Sequence, residues 1–232
     1  MSLQTGGSVA VFLQVRLDSS RLPAKALFEL AGQPIVAHCM KALRELRAER
    51  YCLLTDSASA DVLLPFARSC GFTIFSGPKD DVLARFVMAA DHFGIDHILR
   101  GTADNPLVSP ALSALVRDTY LAGAADYCVC KDVPVGSCIE AVSAHALRVV
   151  RAESADAYEH EHVCPGIYRQ PERFRVHRID PPLEYRRPDI RVTIDTIEDY
   201  QNMRQFFSGP ATGQPYDLAA AIAYLDKLGK AI

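Results

Sequence analysis

Short apolar runs alternate with amphipathic stretches of helical period through the first half of the chain, and this alternation constrains the fold more than any other feature. VAVFLQV (9–15), RYCLLT (50–55), FTIFS (72–76) and HILRGT (97–102) read as strands. IVAHCMKALREL (35–46), a stretch near 59–70, DVLARFVMAADHF (81–93) and ALSALVRDTYLAG read as the helices that follow them. A βαβα order of this kind predicts parallel strands with helices on both faces. Ligands then belong at the carboxyl ends of the strands, near a topological switch point.

After about residue 124 the rhythm changes. ADYCVC and SCIEAVS read as strands, the second preceded by the turn VPVG (133–136). A helix is expected from about Ala144, then a polar stretch AYEHEHVC, two further strand-like segments FRVHRI and DIRVTI, and a last helix near 216–228. The expectation is one α/β domain over 1–232, three-layered with a mostly parallel sheet and a small appended β element. No repeat, low-complexity tract or linker divides it, and a single core accommodates a chain of 232 residues.

The formal net charge of −3 gives no global field to attract nucleic acid or an anionic membrane. No apolar run approaches the roughly 18 residues of a spanning helix. The start, MSLQTGGS, lacks the basic and apolar regions of a signal peptide and reads as a short tail. Seven cysteines without a CxxC suit reduced thiols, and the chain is expected to be a soluble cytoplasmic protein.

Three places on the expected ligand edge carry chemistry. The turn after the first strand, QVRLDSSRLPAKAL (14–27), holds Arg16, Arg21 and Lys25 without a glycine. Guanidinium forks and an ammonium grip phosphate oxygens, although three solvated surface cations with stray carboxylates account for the same residues. Asp104 follows the fourth strand in RGTADNP, where it can hold a divalent cation or make an Asx turn. Asp195 ends the predicted strand DIRVTI; there Thr196 or Asp195 can cap a following helix, with Glu198 or Asp199 in its first turn. Should the two aspartates approach within about 4 Å, their repulsion of about 4 kcal/mol at an effective dielectric near 20 calls for a cation. Magnesium takes one or two carboxylates together with phosphate oxygens.

RLDSSRLPAKAL, AGQPIVAH, SGPKDDVLARF, RGTADNPLVSP, EHEHVCPGIY and RVTIDTIEDY run in the same order as motifs of the cytidylyltransferase family, over about 9–207. The chain resembles most the branch called spore-coat polysaccharide biosynthesis protein F. It is similar, more distantly, to CMP-3-deoxy-manno-octulosonate and CMP-sialic acid synthetases. The resemblance implies a Rossmann-like nucleotidyltransferase fold of the nucleotide-diphospho-sugar transferase type. It further implies transfer of CMP from CTP to a sugar, with Mg2+, in a homodimer. By the same resemblance Arg16, Arg21, Lys25, Arg85 and Thr102 bind the nucleotide, Asp104 and Asp195 hold the metal, and Glu140 faces the sugar acid. Residues 8–123 then form the nucleotide-binding half, 124–208 the sugar-binding and dimerisation half, and 209–232 a C-terminal helix. For Arg85 a helix-surface cation is the alternative. Ala103, Val135, Cys164 and Gly166 depart from the family pattern. The cluster Glu159, His160, Glu161, His162 and Cys164 lacks the i, i+4 pair of helical zinc sites and is expected to be structural, on a helix against the partner subunit. Use of another nucleoside triphosphate, or a catalytically idle nucleotide-binding relative, are the other readings.

Overall fold

The computed structural model describes residues 7–19, 21–209 and 217–229. Its centre is a seven-stranded sheet. Strand β1 (Val9–Gln14) pairs in parallel with β4 (Arg50–Thr55), which pairs in parallel with β5 (Thr73–Ser76). On its other side β1 pairs in parallel with β6 (His97–Thr102). β8 (Glu140–Ser143) lies antiparallel to β6, β7 (Tyr127–Cys130) antiparallel to β8, and β9 (Val176–Ile179) parallel to β7. The appended β element therefore continues the main sheet. A two-residue hairpin, β2 (Glu29–Leu30) with β3 (Gln33–Pro34), stands apart.

Leaving β1, the chain passes outward to β4 and β5 and then returns to set β6 on the opposite side of β1. The carboxyl ends of β1 and β6 thus flank the switch point, where α/β sheets open a ligand crevice.

Side-chain alternation sorts the helices into two layers. Val11, Leu13, Leu53 and Leu99 face the core under α1 (Ile35–Arg44), α2 (Ser57–Ser69), α4 (Pro110–Gly123), α8 (Ile197–Ser208) and α9 (Leu218–Lys227). Ala10, Phe12, Leu54 and Ile98 face the other way, under α3 (Val82–Phe93), α5 (Ala144–Glu153) and α7 (Pro165–Tyr168). β1 is buried on both faces, as a central parallel strand must be. Among the described residues no helix is long and apolar enough to cross a membrane. All seven cysteines are free.

The polar stretch AYEHEHVC carries a helix, α6 (Ala157–His162), as expected for its charged cluster, and this helix starts on an Asp156 side-chain cap. Two sequence expectations need correction. The last helix begins at Leu218, and Tyr216 lies outside the described residues, as do residues 1–6 of the expected tail. DIRVTI is not a strand. Its alternation is real, since Ile190, Val192 and Ile194 are fully buried, but the backbone beside it is the 133–136 loop rather than a strand. That loop offers Val135 alone, whose N–H donates to Ile190 O at 2.8 Å and whose carbonyl accepts from Val192 N at 2.9 Å. Pro134 has no N–H to extend the ladder. Gly136 closes the loop with φ +89°, and a Cβ there would lie 2.7 Å from Asn105 Oδ1, so only glycine fits this close approach.

Candidate active site

The turn after β1 folds back on itself. Ala24 N donates to Leu17 O at 2.7 Å, and Ala24 takes a left-handed conformation (φ 55°) that starts the 3-10 turn Lys25–Leu27. Phe28 then packs edge-on against Tyr200 of α8 at 5.0 Å, and the Tyr200 hydroxyl donates to Glu29 O at 2.9 Å. These contacts carry Lys25 to the start of α8, where Asp195 stands.

Both aspartates are freed from structural work by their neighbours. At the end of β6, Asn105 makes the turn bond, its Nδ2 donating to Thr102 Oγ1 at 2.7 Å, and Ser109 caps α4. At the start of α8, Thr196 and Asp199 form a reciprocal capping box. Asp199 Oδ2 accepts from Asp195 N at 2.9 Å and Thr196 N at 2.8 Å. The side chains of Asp104 and Asp195 are left to face Lys25.

Lys25 Nζ donates to Asp104 Oδ2 at 2.9 Å, Asp195 Oδ1 at 2.7 Å and Ile194 O at 2.7 Å. The two carboxylate oxygens are therefore no further apart than the sum of the first two distances. Ile194 N also donates to Asp104 O at 2.9 Å, which ties the two segments together through the backbone. Arg21 adds a contact to Asp195 Oδ1 at 3.2 Å, and Arg191 pairs with Asp195 Oδ2. Burial pushes the Asp195 carboxyl up, but the Lys25 hydrogen bond and the charges of Lys25, Arg191 and Arg21 outweigh it, holding Asp195 below the ordinary value of 3.8. A group depressed in the folded state stabilises it above the unfolded value, and that contribution is lost as pH falls through the folded value. Stability measured by urea unfolding is accordingly expected to fall below about pH 4 in the wild type. The decline should be shallower in Asp195→Asn; equal slopes would show that these cations do not hold the carboxylate.

The other expected residues are distributed around a cleft of about 310 Å³, within the range of small-molecule sites. Arg16 stands on its wall, 3.3 Å from Glu161 of α6 with both side chains about half exposed. Such a pair is worth roughly 0–1 kcal/mol, so the fork is available to a ligand. Thr102 also lines the cleft. Arg85 borders it but is 1% exposed. Its guanidinium donates to Pro78 O at 2.6 and 3.0 Å and to Lys79 O at 2.9 Å; it is neither a surface cation nor a free one, and it pins the loop before α3. Glu140 pairs with Arg100 across β6 and β8 and accepts from the Tyr127 hydroxyl. Arg100, also held by Gln14 at 3.1 Å, lines the cleft together with Gln14, whereas Glu140 stands behind it.

Sequence reasoning missed Arg191 and Arg100, and read Glu161 and His162 as structural. An arginine inside a buried strand (HILRGT) was itself a signal, because such a charge requires a partner. Glu161 and His162 line the cleft, whereas Glu159 accepts from Ser154 Oγ at 2.5 Å and His160 lies 3.0 Å from Asp81. Of the departures, Ala103 is buried with its N–H on Gln14 O, Val135 is half exposed, and Cys164 is fully buried. A Cβ at Gly166 would lie 2.4 Å from Val150 Cγ1, so a side chain there needs the surrounding helices to shift.

Comparison with known proteins gives concordant results. The family profile described as cytidylyltransferase matches residues 10–226. The spore coat polysaccharide biosynthesis protein SpsF of Bacillus subtilis (strain 168) is 30% identical over 220 residues, spanning 92% of this chain and 91% of that protein. The structure of a cytidylyltransferase from Leptospira borgpetersenii serovar Hardjo-bovis superposes with a TM-score of 0.86 at 25% identity, covering 97% of each chain. CMP:2-keto-3-deoxy-manno-octonic acid synthetase complexed with CTP matches with a TM-score of 0.65 at 14% identity, over 87% of this chain and 98% of that one, a likeness of fold.

Proposed function

The chain belongs to the cytidylyltransferase family and is a nucleotidyltransferase, and we propose that it transfers CMP from CTP to a sugar acid, releasing pyrophosphate, for cell-surface polysaccharide synthesis. The observation that carries this reading is the convergence of Asp104 and Asp195 on one ammonium at the switch point of the sheet. Two carboxylates that close together, beside the Ile194 carbonyl, form a hard-oxygen donor set that fits a divalent cation such as Mg2+. Among the described residues no trio of His, Cys, Asp and Glu gathers as a metal cluster, so the remaining ligands would come from substrate. A magnesium ion held by Asp104 and Asp195 would supply Lewis-acid neutralisation of charge on the α-phosphate.

The protein's own residues account for the rest. Arg16 and Lys25 hold the β- and γ-phosphates and stabilise the pyrophosphate that departs with the bonding electrons, and Arg21 lies alongside. Thr102 and the loop pinned by Arg85 shape the nucleotide side of the cleft. A sugar hydroxyl attacks the α-phosphorus in line, its proton passing to solvent as the bond to pyrophosphate breaks, and the rate rests on positioning and preorganised charge rather than on a covalent nucleophile. Glu140 serves the acceptor indirectly, by fixing Arg100 on the cleft floor, where a guanidinium suits an acidic sugar. The names of the relatives support this choice: one is a polysaccharide biosynthesis protein, and one a synthetase for a keto-deoxy sugar acid bound to CTP.

A pyrophosphate-release screen checks it. CTP, UTP, ATP and GTP are each offered with magnesium and a panel of sugar acids and neutral sugars. Release is expected with CTP and an acidic sugar; release confined to another triphosphate moves the specificity, and none with any pair favours the idle relative.

A further inference from the structure

We infer that Lys25 holds the place a divalent cation would take between Asp104 and Asp195, so that the site accepts the cation only together with a polyphosphate. The inference rests on the reading above and adds to it a rule for what may enter and in what company. An ammonium has three N–H donors, and all three of Lys25 are committed, to Asp104, Asp195 and Ile194 O. The side chain is only 12% exposed, and Asp195 15%. Two carboxylates face three cations here, Lys25, Arg21 and Arg191, so the side chains of the cluster sum to a net charge of +1.

A divalent ion arriving alone meets that positive charge. To reach both carboxylates it must expel the ammonium from three hydrogen bonds and leave it without an acceptor in a confined site. A polyphosphate arriving alone meets Arg16 and Arg21 but not Lys25, which has no donor left and whose withdrawal would leave the two carboxylates facing each other. Arrival together resolves both difficulties. The cation replaces the ammonium between the carboxylates, and the flexible four-carbon stem of Lys25 carries its charge to phosphate oxygens. Each ligand thereby raises the affinity for the other by the same factor, as linkage requires. Because the exchange needs phosphate oxygens and no base, inorganic pyrophosphate should promote cation binding as CTP does, and CMP far less.

The test is Mn2+ binding, read from the electron paramagnetic resonance signal of the free ion. It is measured on the full chain alone and with CTP or pyrophosphate, and corrected for Mn2+ bound to each anion without protein. For the wild type, CTP and pyrophosphate are expected to tighten Mn2+ binding at least about tenfold. Lys25→Met and Lys25→Gln are expected to bind Mn2+ alone at least about tenfold more tightly than the wild type, and Mn2+ should raise their Tm more than it raises that of the wild type. Equal Mn2+ affinity of the wild type with and without CTP overturns the inference, even if neither variant folds. Unchanged Mn2+ affinity in folded variants overturns it as well. The titration reads the exchange without turnover, so a protein that couples Mn2+ to pyrophosphate yet releases none from CTP would reject the proposed reaction and keep the interlock. Turnover with tight Mn2+ binding in the absence of anion would do the reverse.

Discussion

Asp104→Asn is expected to lower kcat for CTP-dependent pyrophosphate release by about a thousandfold, or ~4 kcal/mol of transition-state stabilisation, with Tm within about 2 °C of the wild type. Asparagine keeps the shape of the side chain and an oxygen to accept from Lys25, so the packing survives. What disappears is one of two negative charges able to hold a cation against the triphosphate. The stability effect is small because the Asp104 side chain is 26% exposed and water screens part of its attraction to Lys25. Lys25→Ala offers no such separation of activity from stability. It removes the single ammonium lying between both carboxylates, and Asp195 is partly desolvated. Loss of turnover there comes with loss of stability that added Mn2+ should partly restore. The check is steady-state pyrophosphate release beside a thermal melt; full turnover in Asp104→Asn would remove this carboxylate from the chemistry.

The central sheet was legible because its strands are buried on both faces and leave continuous apolar runs, with helical periods between them. The ligand edge followed from that order, and with it Asp104. Asp195 was found for a reason only partly right: Ile190, Val192 and Ile194 alternate because one side of an extended segment is buried, and alternation reports burial, not hydrogen bonding to a neighbouring strand. The three cations of the first turn find carboxylates in the same chain. Lys25 meets its carboxylates across 79 and 170 residues, and local pattern cannot register pairings of that span. Arg85 was opaque for another reason. A cation in an amphipathic helix usually faces water, but here two inward-turned carbonyls at Pro78 and Lys79 receive it. Glu140 was assigned to the sugar by resemblance alone; its pairing with Arg100 depends on β6 and β8 being antiparallel neighbours, with the two residues opposite each other in the register. The order of elements along the chain does not disclose that pairing.

That register leads to the second large effect. Glu140→Ala is expected to destabilise the fold by about 3–5 kcal/mol, because removing one partner strands a buried charge. For a chain of this size the Tm should fall by roughly 10 °C or more. Arg100 and Glu140 are only 12% and 20% exposed, and Tyr127, 3% exposed, would lose the acceptor for its hydroxyl at the same time. Burial alone would draw the Arg100 guanidinium down, but the Glu140 carboxylate outweighs it and holds the pKa above its ordinary value. The charge persists even when its partner goes, because a guanidinium is too basic to be deprotonated in a protein. Replacing both, as Arg100→Met with Glu140→Leu, exchanges an ion pair for apolar groups of similar volume and is expected to recover stability to within about 2 kcal/mol of the wild type. Turnover should stay low in the double variant, because Arg100 is the member of the pair that lines the cleft. Urea unfolding of Glu140→Ala, Arg100→Met and the double variant, beside their KM for the acceptor sugar, separates the roles. A Glu140→Ala protein as stable as the wild type, altered only in KM for the sugar, would make Glu140 a direct contact to substrate rather than the anchor of Arg100.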